Sequence, residues 1–413
     1  MLSKNEKVRL IDLVKEYVVN GVVNRIDLEN VIYTNLKGLD IYEAEKILEE
    51  HRILVSNDEV AQDAEDVQID IPFNPEQIDI VMDRIVCLTL INRLKNDAIE
   101  LESDFQRKAG LWTIEQKSRL IESILLNIPL PAFYFDSSDK DKWLVIDGLQ
   151  RLSTINEFVV QEKFKLTNLE FLEKWKGCKF SELPYSLRST IEETNFNAYF
   201  VRKNTPKNVK YNIFKRINTG GLVLTPQEIR NALYQGKATK FLSKMSKNEN
   251  FLLATSNSIK TDRMLDREFC LRYIAFTKLL LDEYNNSIDD FLISGMEFLN
   301  KSEDQELEKY YSEFQNTMDV IYRIFGEYSF RKMRFDGRRT PINKAIFEGW
   351  SVIISKLSEG DQNKIISNSK VVRKKFTEIC ENNSSFITHI KANDKNSIKS
   401  RLNVFSNIIK EIL

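Results

Sequence analysis

Apolar positions recur at three- and four-residue spacing in KVRLIDLVKEYVV, RIDLENVIYTNL and DIYEAEKILEEHRILV, with Asn20-Gly21 breaking the first run from the second. This spacing predicts a small helical module over residues 1–55. The next stretch, SNDEVAQDAEDVQID, carries six acids and no base, which predicts a solvated linker over 56–75. From residue 76 the texture changes. IDIVMDRIVCLTLINRL mixes β-branched and helical signals, and AIELESDFQR reads as a short extended segment running into a polar corner. Ile114, Leu120, Ile121, Ile124 and Leu125 then mark an amphipathic helix, which Pro129 and Pro131 end before a strand at AFYF. After the polar loop SSDKDK comes a second strand, WLVI. Beyond residue 238 the chain reads as helices with short polar breaks, DREFCLRYIAFTKLLLDEY and NKAIFEGWSVIISKL among them. The pattern therefore predicts an α+β protein, with a mixed α/β domain over 76–237 and an all-helical domain over 238–413.

Composition narrows the chemistry. A chain of 413 residues with 42% hydrophobic side chains has enough apolar surface for more than one core. With 60 basic and 61 acidic residues, any attraction to nucleic acid has to come from local patches and not from the global field. Cys87, Cys178, Cys270 and Cys380 are scattered without a C-x-x-C pair, as expected of buried thiols in a reducing compartment. The N-terminal run carries charges throughout, and no window approaches 18 uncharged apolar residues, so a cytoplasmic protein with no membrane partner is expected. Only His51 and His389 are present, which leaves little for a histidine-rich metal centre or an HNH nuclease. A metal here would be held by carboxylate, Mg²⁺ being the expected ion.

Three segments carry candidate chemistry. In WLVIDGLQRLSTINEFVV a strand meets Asp147-Gly148, after which Leu149, Leu152, Ile155 and Phe158 repeat with helical period. The free N–H groups of such a helix start, with Arg151 beside them, suit a phosphate. Asp147 either caps the helix as a structural device or binds Mg²⁺ or orients a water. SDFQRKAGLW places Gln106 and Arg107 before the amphipathic helix, a second Gln-Arg pair beside Gln150 and Arg151. In FKRINTGGLVLTPQEIRNALYQG, Asn218, Thr219, Gly220 and Gly221 form a turn whose amides can approach a ligand closely. Thr225-Pro226-Gln227-Glu228 is a capping box with proline at the first helical position, and Arg230 and Asn231 follow one turn later, facing either the same ligand or solvent. A separate basic stretch, SFRKMRFDGRRTPINK at 329–344, offers Arg331, Lys332, Arg334, Arg338 and Arg339 with Phe330 and Phe335 interleaved, a pattern that serves equally as a nucleic-acid grip or as solvated charge.

In this order, SDFQRKAGLWTIEQKSRLIESILLNIPLPAFYF, VIDGLQRLSTI and IFKRINTGGLVLTPQEIRNALY resemble the N-terminal domain family of GmrSD-type restriction endonucleases. The resemblance implies a ParB/sulfiredoxin-like fold, nucleotide binding and NTP hydrolysis, and a role in restriction of foreign DNA. Carried over by residue, it makes Asp147, Gly148, Gln150 and Arg151 the hydrolytic motif, and Asp147 is the expected Mg²⁺ ligand on its own chemistry. Gln106 and Arg107 become a supporting polar pair and Asn218, Thr219, Gly220 and Gly221 a second ligand loop; with Gly148, and with Arg230 and Asn231 from their own placement, they are the expected nucleotide contacts. Leu149 stands where the family's D-G-Q-Q-R motif has glutamine, removing one polar contact. The expected function is an NTP-hydrolysing protein of a bacterial anti-phage restriction system, without an HNH site, working with nucleotide, DNA and a separate nuclease or defence partner. A non-catalytic DNA-binding or regulatory subunit, or a DNA nickase using the same motif, remains open.

Overall fold

The computed structural model describes residues 4–18, 22–36, 39, 41–51, 53–56, 78–101, 112–217, 225–261 and 263–413. The acidic stretch 57–77 lies outside them. The chain divides into two compact units, Met1–Ile69 with Gly236–Thr261 and Leu265–Leu413, and Asp70–Gln235 with Asp262–Met264.

In the first unit the N-terminal segment folds into helices at Lys4–Val14, Arg25–Asn35 and Ile41–Glu50 around Leu10, Val14, Leu28, Val31 and Leu48. Two strands accompany them, β1 (Val22–Asn24) and β2 (Leu54–Ser56), paired in parallel with Val23 opposite Val55. At three residues each they are too short to write a two-residue period into the sequence. The remainder of this unit is helical, with Trp350 between Phe325, Phe376 and Phe405 at ring separations of 4.9, 5.3 and 4.8 Å. Glu348 is almost fully buried and accepts from Arg272 and Arg401, each at 2.5 Å. Arg272 continues the chain of charge to Glu268, which Lys344 also reaches at 3.0 Å. Ionised groups at such depth are tolerated only when paired and hydrogen-bonded in this way.

The second unit is organised by a five-stranded mixed sheet in the order β3-β7-β5-β6-β4, comprising β3 (Ile80–Val86), β4 (Ile99–Glu100), β5 (Phe133–Asp136), β6 (Trp143–Asp147) and β7 (Asn195–Val201). β7 runs antiparallel to β3 and parallel to β5, and β6 is antiparallel to β5 and parallel to β4. Phe133, Phe135, Val145, Phe196 and Ala198 point from these strands into a core shared with the Cys87–Lys95 and Ile114–Leu125 helices. The second of these helices starts in a full capping box, Thr113 accepting from the Gln116 N–H and Gln116 accepting from the Thr113 N–H. From its last turns Glu122 reaches the N–H groups of Glu170, Phe171 and Leu172. Burial opposes its charge, but these three donors outweigh it and hold the carboxyl below its usual range.

Helices and a small mixed sheet make this an α+β protein. No helix among the described residues is long and apolar enough to cross a membrane. All four cysteines are free, and burial pushes the Cys87 and Cys380 thiols up to about 12, which leaves them inert as nucleophiles.

Candidate functional site

The 143–155 segment folds as a strand, a one-residue turn and a helix because Gly148 alone fits the turn. Its φ is +99°, and a Cβ there would sit 2.3 Å from the Phe133 ring and 3.2 Å from the Arg151 guanidinium. The Leu149–Ile155 helix begins directly after it and runs on into a wider π turn over Asn156–Val160. Asp147, at the strand end, lies opposite Tyr134, whose ring stacks on Tyr199 at 4.7 Å. Burial, with Tyr199 and Asp147 nearby, raises the Tyr134 phenol above its ordinary value.

Arg151 turns back toward the strands. Its guanidinium donates to the Pro131 carbonyl, to the Ala132 carbonyl at 3.1 Å and to Asp147 Oδ2 at 2.9 Å, and it stacks over Phe133 at 4.6 Å. Only 8% of the residue is exposed, and burial lowers its pKa despite the attraction of Asp147. The expectation of a forked cation open to phosphate is therefore not what this geometry provides. Arg151 instead fixes the carboxylate: Asp147 has one oxygen held and the other directed away from that bond, with its side chain 37% exposed. Neither hydrogen bond to the backbone is visible in local sequence, since the acceptors lie 20 and 19 residues upstream.

The Pro226–Leu233 helix forms as its sequence predicts, Thr225 and Glu228 exchanging capping hydrogen bonds. Arg263 clamps Glu228 from outside. Arg230 and Asn231 face inward: Arg230 donates to Gln227 Oε1 at 2.9 Å and to the Tyr211 hydroxyl at 3.2 Å. Because a guanidinium can only donate, Gln227 has to turn its oxygen to Arg230 and its Nε2 away. Gln227 Nε2, Asn231 Oδ1 and Gln150 Oε1 are all buried and, among the described residues, without a hydrogen-bond partner. Gln227 escaped the sequence reading because it sits inside the capping box, although its four-residue spacing from Asn231 puts both on one helix face. Nearby in the chain, Lys210 is buried and binds both oxygens of Asp136, at 2.9 and 2.8 Å, together with the Ser138 hydroxyl, tying the Lys207–Ile217 helix to the end of β5.

Gln106, Arg107, Asn218, Thr219, Gly220 and Gly221 lie outside the described residues. Among the described residues no group of three or more His, Cys, Asp or Glu could hold a metal ion, and Asp147 is the carboxylate nearest the motif's chemistry. His389 stands between the hydroxyls of Ser385 and Ser397 at 3.2 and 3.1 Å.

In the first unit the basic stretch is turned largely against itself. Arg331 is fully enclosed, donating to the Thr340 carbonyl and the Ser258 hydroxyl, and Phe330 packs on Phe347 at 4.7 Å, so neither can meet a nucleic acid. Arg334 and Arg338 share Asp336, at 3.2 and 3.1 Å. Arg339 bonds Asn30 and Ser258, and Lys332 is half-buried, which lowers its pKa. Phe335 alone of the interleaved aromatics is exposed.

The family model described as the GmrSD restriction endonuclease N-terminal domain matches residues 88–235, a span that begins in the helix after β3 and ends past the Pro226–Leu233 helix. Over this span, about a third of the chain, the sequence is similar to that family. No curated protein and no solved structure matches it.

Proposed function

We propose that the chain is a nucleotide-binding, NTP-hydrolysing component of a restriction system that acts on DNA, with a ParB/sulfiredoxin-like core. The observation that carries the nucleotide reading is the set of three orphaned amide atoms, Gln150 Oε1, Gln227 Nε2 and Asn231 Oδ1. Each unmet buried group costs about 1–3 kcal/mol, and a bound ligand, ion or water is one way a folded domain recovers that cost. Of the three residues, Gln150 is expected from the sequence in the hydrolytic set and Asn231 among the nucleotide contacts, and the segment's similarity to the restriction-endonuclease family supports the same reading.

In this mechanism Asp147 is the reacting carboxylate and Arg151 a positioning residue. The guanidinium fixes one carboxylate oxygen, and the other is left to orient a water or to meet the Mg²⁺ that accompanies a triphosphate. The bound cation would neutralise phosphate charge, held chiefly by the phosphates with Asp147 as its protein ligand. Gln150 and Asn231 supply polar contacts to the nucleotide, and Gly148 keeps the turn narrow.

With the purified full chain, Mg²⁺ and each common NTP in turn, phosphate release is expected, falling at least tenfold, or about 1.4 kcal/mol of barrier, in Asp147→Ala and in Gln150→Ala. Circular dichroism should match the parent in both. Undiminished release in the two variants removes the hydrolytic reading. A second reading, a DNA-binding subunit without catalysis, draws on the engagement of both terminal nitrogens of Arg151 by protein acceptors. It predicts DNA binding that is indifferent to nucleotide.

A further inference from the structure

We propose that an open groove beside β3 and the Cys87–Lys95 helix is the seat of a single DNA strand. The groove consists of two hollows that share Thr89. One, of about 450 Å³, is lined by Arg84, Ser137, Trp143, Phe200 and Arg202, and the other, of about 380 Å³, by Asn92, Arg93, Asn96 and Lys140. Hollows of this size admit individual nucleotides and not a duplex.

Four cations line the groove against two carboxylates, Asp83 and Asp141. Arg84, Lys140 and Arg202 are exposed, and among the described residues no carboxylate lies within ion-pair distance of their side chains. Their charge is therefore available to phosphates, whose neutralisation releases condensed counterions and drives binding. Arg93 stacks on Trp143 at 3.6 Å, and Trp143 meets Phe200 edge-on at 4.9 Å. The Arg93 guanidinium, held by the indole beneath it, offers a base a cationic plane to stack on, with the Trp143 and Phe200 edges as apolar flanks, while Asn92 and Asn96, one helical turn apart, add amides that donate and accept. Exposed cations beside a guanidinium seated on an indole match a strand with charged backbone and exposed base faces. The groove shares no lining residue with Asp147, Gln150 or Asn231.

The choice of DNA rests on the restriction-system function proposed for the chain. The test is fluorescence anisotropy of the full chain with a labelled DNA oligonucleotide, single-stranded and as duplex, over a range of salt. The strand should bind more tightly than the duplex. An Arg84→Ala/Arg202→Ala variant should lose at least tenfold in strand affinity and flatten the plot of log affinity against log salt by about 0.7 for each phosphate it no longer neutralises. Both positions are exposed, so its thermal melt should match the parent. Strand binding unchanged in this variant, or a preference for duplex, overturns the proposal. Phosphate release from NTP by the unmodified chain is read separately: its absence together with groove-dependent DNA binding removes the hydrolytic reading and leaves the groove standing.

Discussion

The stretch 329–344 packs six cations into sixteen residues, whereas Arg84, Arg93, Lys140 and Arg202 are strung over more than a hundred positions. Along the sequence the first is conspicuous and the second invisible. Folding reverses their standing. Arg331 is enclosed among carbonyl and hydroxyl acceptors, and Asp336 takes both Arg334 and Arg338, so much of the dense stretch has its charge answered locally. The scattered set converges on one groove, and among the described residues three of its four cations have no carboxylate partner. A surface field is set by which charges lack counter-charges in three dimensions, and density along the chain is a poor guide to that.

The largest effect that would sharpen this contrast is expected at Arg331. Arg331→Ala leaves the Thr340 carbonyl and a cavity unanswered, and should cost about 3 kcal/mol, seen as a fall of roughly 6–10 °C in the melting midpoint. DNA affinity of the folded variant should stay within twofold of the parent. A variant that keeps its melting point and loses DNA binding would instead make Arg331 a contact and break the comparison. Next below stands the tenfold loss of strand affinity expected from Arg84→Ala/Arg202→Ala.

Smaller effects are expected at the paired cations. Arg334→Ala and Arg338→Ala each remove one exposed ion pair with Asp336, worth about 0–1 kcal/mol, so chemical denaturation should shift little and DNA anisotropy less than twofold. The smallest concerns pH. The Arg338 N–H, and after it the Arg334 side chain, hold the Asp336 carboxyl below its ordinary range. A depressed carboxyl contributes above its unfolded pKa and loses that contribution only as pH falls through the folded value. Arg334 and Arg338 therefore stay neutralised throughout the neutral and mildly acidic range. The salt dependence of DNA binding should be the same in Asp336→Asn as in the parent at pH 8 and at pH 5. A marked gain of affinity in Asp336→Asn would show that the pairing masks a working patch.

Local signals carried much of the fold. Thr225 announced its helix through a capping box, apolar spacing alone announced the helix that Thr113 caps, and the Asp147-Gly148 break marked a turn that glycine alone can make. β7 was missed, yet Asn195, Phe196, Asn197 and Ala198 alternate between exposed and buried, the period-two signal of a strand with one face in the core. The site was legible as a set of residue types and not as a set of partners. The pairing of Asp147 at a strand end with Arg151 in the first turn of the next helix is local in sequence, but the Pro131 and Ala132 carbonyls that claim the guanidinium come from the approach to another strand. The groove left no trace, because its cations come from an edge strand, a helix, a loop and the residue after β7.

Glu348 holds a final implication. One of its oxygens is answered by Arg272 and the other by Arg401, which rides on the last helix, Lys395–Lys410. That terminal helix thus acts as a counter-ion as well as a packing element. Trimming the chain ahead of it would strand half of a deeply enclosed negative charge, a defect that no repacking of neighbouring phenylalanines can cure.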